Sequence, residues 1–167
     1  EHFSVAHIRR AVAIEVDGVL QDAFALGASV GAPLARRLTP GQPLDPAEVL
    51  RLAAGLTDAL AEIHSRGITH LDIAPETVST GAGRLELTDF AVDNRAFMPL
   101  LGSQEGLVRP GYSPIEHHDA SMAEPLGPPA DVHAASALLF RLITGREPTP
   151  WQNRWRDPAL SELPAIE

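Results

Sequence analysis

Residues 68–91 read Ile68-Thr69-His70-Leu71-Asp72-Ile73-Ala74-Pro75-Glu76-Thr77-Val78-Ser79-Thr80-Gly81-Ala82-Gly83-Arg84-Leu85-Glu86-Leu87-Thr88-Asp89-Phe90-Ala91. The first part, His70 to Thr77, is polar, interrupted by Pro75 and bounded by apolar residues, which suits a loop that carries function. The second part reads as a hairpin. Thr77-Val78-Ser79 leads into Gly81-Ala82-Gly83, whose glycines can take positive φ. Arg84-Leu85-Glu86-Leu87 then alternates polar and apolar, the period of a half-buried strand. Such a hairpin brings Asp72 and Asp89 toward each other at one end of a short ladder. Two converging carboxylates can hold a divalent cation or position a proton.

Outward from this stretch, Asp45-Pro46-Ala47-Glu48 is a helix start. Asp45 can accept from exposed amides, Pro46 suits the first turn, and Glu48 can reach back to close a capping box. Val49, Leu52, Ala53, Leu56, Leu60 and Ile63 follow at helical spacing, and Gly67 is the natural stop. The helix delivers the backbone to His70. Asp131 to Thr144 is apolar almost all round and closed by Gly145, so a buried helix is expected. A carboxylate at its start implies that Asp131 is paired with backbone amides.

The other segments are less regular. Ile8–Val16 and Val19–Leu26 have strand character on either side of Asp17-Gly18. Gly27-Ala28-Ser29-Val30-Gly31 lacks the spacing of a phosphate-binding glycine loop, and its glycines serve turns. Residues 92–115 carry no periodicity, and Ser103 within them is an ordinary loop serine or a phosphoacceptor. Residues 147–167, with four prolines, Trp151 and Trp155, read as an irregular tail packed by its tryptophans. His117 and His118 beside Asp119 are expected on the surface, because adjacent side chains rarely converge on one metal. No repeat or low-complexity tract is present.

At 167 residues with no cysteine the chain suits one folding unit without disulfides or thiolate metal sites. The net charge is −9, and all 13 basic side chains are arginine. An acidic balance without a basic cluster argues against nucleic acid. No run is long and apolar enough to span a bilayer, no secretory leader is recognisable, and a cytoplasmic setting is expected.

Four stretches, in order, resemble motifs of one family. His70-Leu71-Asp72-Ile73-Ala74-Pro75-Glu76-Thr77-Val78 with Leu87-Thr88-Asp89-Phe90-Ala91 resembles the catalytic loop and metal-binding motif of protein kinases. Pro110-Gly111-Tyr112-Ser113-Pro114-Ile115-Glu116 is similar to the bacterial Pro-Gly-Tyr-Ala-Pro-Pro-Glu. Pro128-Pro129-Ala130-Asp131-Val132-His133-Ala134 through Leu142-Ile143-Thr144-Gly145-Arg146 resembles the family's next helix. The resemblance covers roughly residues 35–150 and identifies the chain as the larger lobe of a bacterial serine/threonine-kinase-like domain. It implies an α+β, kinase-like fold, mainly helical, with a β-hairpin beside the catalytic loop and a strongly reduced small lobe. Residues 1–43 would be remnant small-lobe strands, hinge and a short helix, and residues 44–167 the large lobe.

The resemblance also implies roles. Asp72 stands where the hydroxyl-orienting aspartate belongs, and Asp89 where the metal aspartate belongs. Thr77 replaces the metal-binding asparagine, with a shorter side chain and no carbonyl. Ala74 replaces the catalytic-loop lysine, Leu71 the arginine, and Ala91 the glycine after Asp89-Phe90. Arg109 sits where a loop threonine commonly contacts the catalytic aspartate. His70 and Phe90 are packing residues, Asp131 anchors the catalytic-loop backbone, and Glu116 pairs with an arginine, Arg141, Arg146 or another. No glycine-rich turn precedes residue 27, and no lysine can clamp phosphates.

Each lost charge-stabilising group typically costs about 10²-fold or more in rate. The expectation is therefore a pseudokinase with a regulatory or protein-interaction role, partnered by another protein or by other domains of a longer chain, and with no cofactor. The alternative is a fragment of an active kinase using ATP and Mg²⁺, its glycine loop and lysine lying outside this chain. A different nucleotide-linked transfer through Asp72 and Asp89 is a third, weaker reading.

Overall fold

The computed structural model describes residues 4–5, 8–16, 19–26, 31–81, 83–90, 108–117 and 126–157, with side chains from residue 31 onward apart from Trp155. The turn at Asp17-Gly18, Gly27–Val30, Ala91, Ser103, His118, Asp119 and the segment after residue 157 lie outside the described residues. Strands β2 (Ile8–Val16) and β3 (Val19–Leu26) pair antiparallel as a two-stranded sheet, with Val16 opposite Val19. A short β1 (Ser4–Val5) joins a different sheet. It runs parallel to β6 (Arg84–Leu87), which pairs antiparallel with β5 (Val78–Gly81), which in turn pairs with β4 (Ala32–Pro33). Gly81 faces Arg84 across a two-residue hairpin loop whose Gly83 has φ +74°, so the turn forms where its glycines predict it.

Helix α1 spans Pro46–Ser65. Asp45 caps it, its carboxylate accepting from the amides of Ala47 and Glu48 at 2.9 and 3.2 Å. The expected reciprocal bond from Glu48 is replaced, because Glu48 pairs with Arg37 across to the strand side. Val49, Leu56, Ala59, Leu60 and Ile63 are buried, so the stripe read from the sequence is the packed face. It meets Leu138 and Leu142 of α2 (Pro128–Thr144), Val78, Leu85 and Leu87 of the hairpin, and Ile73 of the loop in one core. Each large aliphatic side chain buried there contributes about 1.5–3 kcal/mol.

Four expectations are corrected. Glu86, read as the solvent face of a half-buried strand, is only 4% exposed, and its neighbours Leu85 and Leu87 are buried as well, so both faces of β6 are covered. Helix α2 starts at Pro128, not at Asp131, and it is not buried all round: Val132 and Ile143 are exposed. The stretch after Pro150 is not irregular throughout, since Trp151–Arg156 forms a short helix, α3. His117 is half-buried in one turn of 3-10 helix rather than on the surface.

The loop between hairpin and helices is tied from both sides. The Ala35 amide donates to the Pro75 carbonyl at 2.9 Å, and the Thr88 amide donates to the Thr77 carbonyl at 2.9 Å. Gly31 passes so close to the Thr80 backbone that a Cβ would lie 2.1 Å from its carbonyl oxygen, a reason for glycine that has nothing to do with phosphates.

Candidate functional site

His70 holds the loop to the end of β6. Its side chain is fully buried, and its Nε2 lies 2.9 Å from the Thr88 carbonyl. A carbonyl only accepts, so Nε2 carries the proton, and Nδ1 is left to accept the Asp72 amide at 3.3 Å. Phe90 covers the ring, centroids 4.3 Å apart. Burial, the largest influence, holds the imidazole below its ordinary value of 6.5, against the opposing pull of Asp131, the Thr88 carbonyl, Asp72 and Asp89. The ring is therefore neutral, a fastener between the backbones at Asp72 and Thr88, as the resemblance implies.

A pH dependence follows. The unfolded chain binds a proton on His70 at higher pH than the folded chain does. Stability is full above the ordinary value and falls as pH drops below it, until the depressed folded value is passed. The melting temperature is expected to decline from pH 7.5 to 5.5, with a shallower decline in His70→Gln. Equal slopes in parent and variant would remove His70 as the cause.

Asp131 is fully buried in the first turn of α2. Its Oδ2 accepts the His70 amide and the Nε2 of His64, both at 2.8 Å, and its Oδ1 accepts the Leu71 amide at 2.6 Å. The expected amide pairing is present, and His64 is an additional partner that sequence reasoning missed. Its signal was faint: a histidine in the last turn of the helix that leads into the loop. Leu71 has φ +64°, a left-handed conformation that costs a leucine about 1–2 kcal/mol. The Asp131 carboxylate holds that backbone in place.

The remaining loop groups are engaged within the protein. The Thr77 hydroxyl donates to the Asp72 carbonyl at 2.6 Å and accepts the Ala74 amide at 3.0 Å. Thr77 and Ala74 are both buried, and Thr77 closes the loop on itself. Asp89 is exposed, has φ +54°, and receives the Thr88 hydroxyl at 3.2 Å.

Asp72 is gripped by Arg109. Nε donates to Oδ1 at 2.5 Å and Nη2 to Oδ2 at 3.0 Å, a two-pronged fork, while Nη1 reaches Glu76 at 3.2 Å. The hydrogen bond to Asp72, the leading influence, raises the arginine above its ordinary value. The guanidinium is delivered by an ordered backbone: the Arg109 amide donates to Ser113 Oγ at 2.9 Å, and the Arg109 carbonyl accepts the Tyr112 and Ser113 amides. An arginine replacing the loop threonine was readable in the sequence; its fork on Asp72 was not. As they stand, these donors do not fit a kinase magnesium site. Of the oxygens the resemblance assigns to it, the Asp89 carboxylate accepts the Thr88 hydroxyl and lies within electrostatic reach of Arg109, and the Thr77 hydroxyl closes the loop.

Arg141, one of the arginines left open for Glu116, is engaged elsewhere. Buried Arg141 donates Nε to Glu147 at 2.7 Å and Nη1 to the Gly145 carbonyl. Tyr112 donates its hydroxyl to the other Glu147 oxygen at 2.9 Å, and burial pushes its phenol well above the ordinary value. Residues 109–113 are thus fastened through Tyr112 and Glu147. Glu116 lies half-buried within electrostatic reach of His133, whose imidazole is lowered by burial and by Arg154.

No family model matches the chain. It is similar to the serine/threonine-protein kinase PkaA of Streptomyces coelicolor, 34% identical over 71% of this chain and 22% of that protein. Similarity extends to the probable kinase PkwA of Thermomonospora curvata, 31% identical over 71% and 16%, and to PrkC of Bacillus subtilis, 28% over 71% and 18%. The chain thus spans about a fifth of the length of these relatives or less. The solved apo form of PpkA-294 superposes with a TM-score of 0.71 and 27% identity, over 94% of this chain and 53% of that one. Among the described residues, no helix is long and apolar enough to cross a membrane. The chain is a homologue of the bacterial serine/threonine protein kinases and belongs to their family, carrying the fold of the helical large lobe.

Proposed function

We propose that the chain is a pseudokinase-type lobe, kept for binding or regulating a protein partner or other domains of a longer chain. The observation that carries this reading is the Arg109 fork on Asp72. An aspartate that orients a hydroxyl needs a free carboxylate oxygen, and both oxygens here face one guanidinium. Ala74 removes the cation that would offset transition-state charge, and the chain has no lysine to replace it. These losses act on one charge-stabilising unit, so restoring any single part recovers little.

A second reading has specific support. Asp72 and Asp89 are retained, the His70 and Asp131 fastenings of the loop are intact, and the chain spans only a fraction of its relatives. A glycine-rich turn and a lysine supplied by another segment would then complete an enzyme that transfers phosphate from MgATP to a protein hydroxyl.

One experiment separates the two. The protein with its native N-terminus is titrated with ATP, with and without Mg²⁺, while thermal stability and phosphate transfer are followed. The pseudokinase reading expects no Mg²⁺-dependent rise in melting temperature and no transfer, in the parent and in Arg109→Thr alike. A Mg²⁺-dependent rise that Asp89→Ala abolishes would overturn it.

A further inference from the structure

A groove of about 640 Å³ lies between the outer face of α1 and the β5–β6 hairpin, away from the Asp72 loop. That volume is in the range of binding sites, roughly 300–1,000 Å³. Arg51, Gly55 and Asp58 line it from the helix, and Gly83, Arg84 and Leu85 from the hairpin. Positions 51, 55 and 58 share one helical face, so the charges stand at the ends and the glycine between them.

Two independent features point to an occupant. The first is charge. Arg37, also at the groove, is paired with Glu48 and Thr80, which leaves the cations Arg51 and Arg84 against the single carboxylate of Asp58. This positive local balance sits on a chain of net charge −9. The second is Gly55. A glycine inside a helix costs about 1 kcal/mol relative to alanine. Among the described residues nothing in the packing demands it: an added Cβ would meet Leu85 at 3.6 and 3.8 Å, ordinary contact, and its φ is not positive. What the missing side chain does is deepen the groove at its centre. Leu50 at the rim is 72% exposed and adds an aliphatic surface beside the arginines.

We infer that this groove docks an acidic, aliphatic peptide segment of a separate protein. Its carboxylates would meet Arg51 and Arg84, an aliphatic side chain would enter over Gly55 against Leu85, and Asp58 would accept a backbone N–H. Arginine is among the residues enriched at interface anchors. The inference rests on the scaffold reading above and names its surface.

The probe is a fluorescein-labelled peptide alternating Glu and Leu, compared with a Lys–Leu counterpart by fluorescence anisotropy. The Glu–Leu peptide is expected to bind, more weakly as salt rises, and the Lys–Leu peptide not to bind. Arg51→Glu and Arg84→Glu are each expected to weaken binding about tenfold or more. Gly55→Leu should abolish it. Gly55→Ala should melt no lower than the parent, which shows that the glycine is not required for folding. Equal binding of both peptides, or none, overturns the proposal. So does self-association in sedimentation that Arg84→Glu dissolves, which assigns the groove to a second copy. Nucleotide binding in the ATP titration would sink the scaffold reading without altering the peptide result.

Discussion

Asp131→Ala is expected to cost about 3–5 kcal/mol, the price of removing one member of a buried, hydrogen-bonded charge network. The carboxylate has no exposure and serves the His70 amide, the Leu71 amide and the His64 ring together. Deleting it leaves donors without partners in the interior. It also frees a leucine held at φ +64°, which then relaxes toward an ordinary conformation. For a domain of this size about 1 kcal/mol corresponds to roughly 2–4 °C, so a drop of about 6–20 °C is expected. Because the alanine variant is at risk of not folding, Asp131→Asn is the companion. Its amide oxygen can keep one donor while its NH₂ opposes another, so a smaller loss is expected. Hydrogen exchange at the His70 and Leu71 amides should accelerate in the asparagine variant more than exchange in α1. A melting temperature within 2 °C of the parent for both variants would show that the loop is held by something else.

This network also marks how far the sequence could be read. The limits of α1 were legible because a cap, a proline and an apolar stripe are local, and they agree with one another. The hairpin was legible because a two-residue loop with glycine leaves few alternatives. Asp131 was legible by type: a carboxylate opening an apolar helix must be satisfied somewhere. Its third partner, His64, was not, because a histidine in a helix has no spacing signature. The burial of Glu86 was not legible, because alternation along a strand does not show what covers its second face. The fork between Arg109 and Asp72 was hidden for the same reason. The residue types were visible, and even the family position was, but the geometry of a guanidinium is fixed by the turn at Tyr112 and Ser113. Glu147 taking Arg141 is likewise set by the turn at Gly145.

Gly111→Ala is the second large effect, and it reaches the site from the outside. Gly111 has φ +86°, and an added Cβ would lie 2.2 Å from the Pro148 carbonyl oxygen and 3.0 Å from its carbon. Both the conformation and the space therefore exclude a side chain, and the obstacle is backbone, which cannot turn aside as a flexible side chain does. Gly83→Ala isolates the two costs. Gly83 has φ +74° with nothing within 4 Å of the added Cβ, so it carries only the conformational cost, about 1–2 kcal/mol. Gly111→Ala is expected to exceed it by at least about 2 kcal/mol, since the segment must move off Pro148. That movement has a specific consequence. Residues 109–113 are fastened by Tyr112 to Glu147, beside Pro148, and the same turn aims Arg109 at Asp72. Pushing Gly111 outward should loosen the fork, so hydrogen exchange at the Tyr112 and Ser113 amides is expected to accelerate in Gly111→Ala and not in Gly83→Ala. If the two variants lose equal stability and leave those amides equally protected, the close approach to Pro148 does not hold the segment, and the closure of Asp72 by Arg109 has to rest on the ion pair alone.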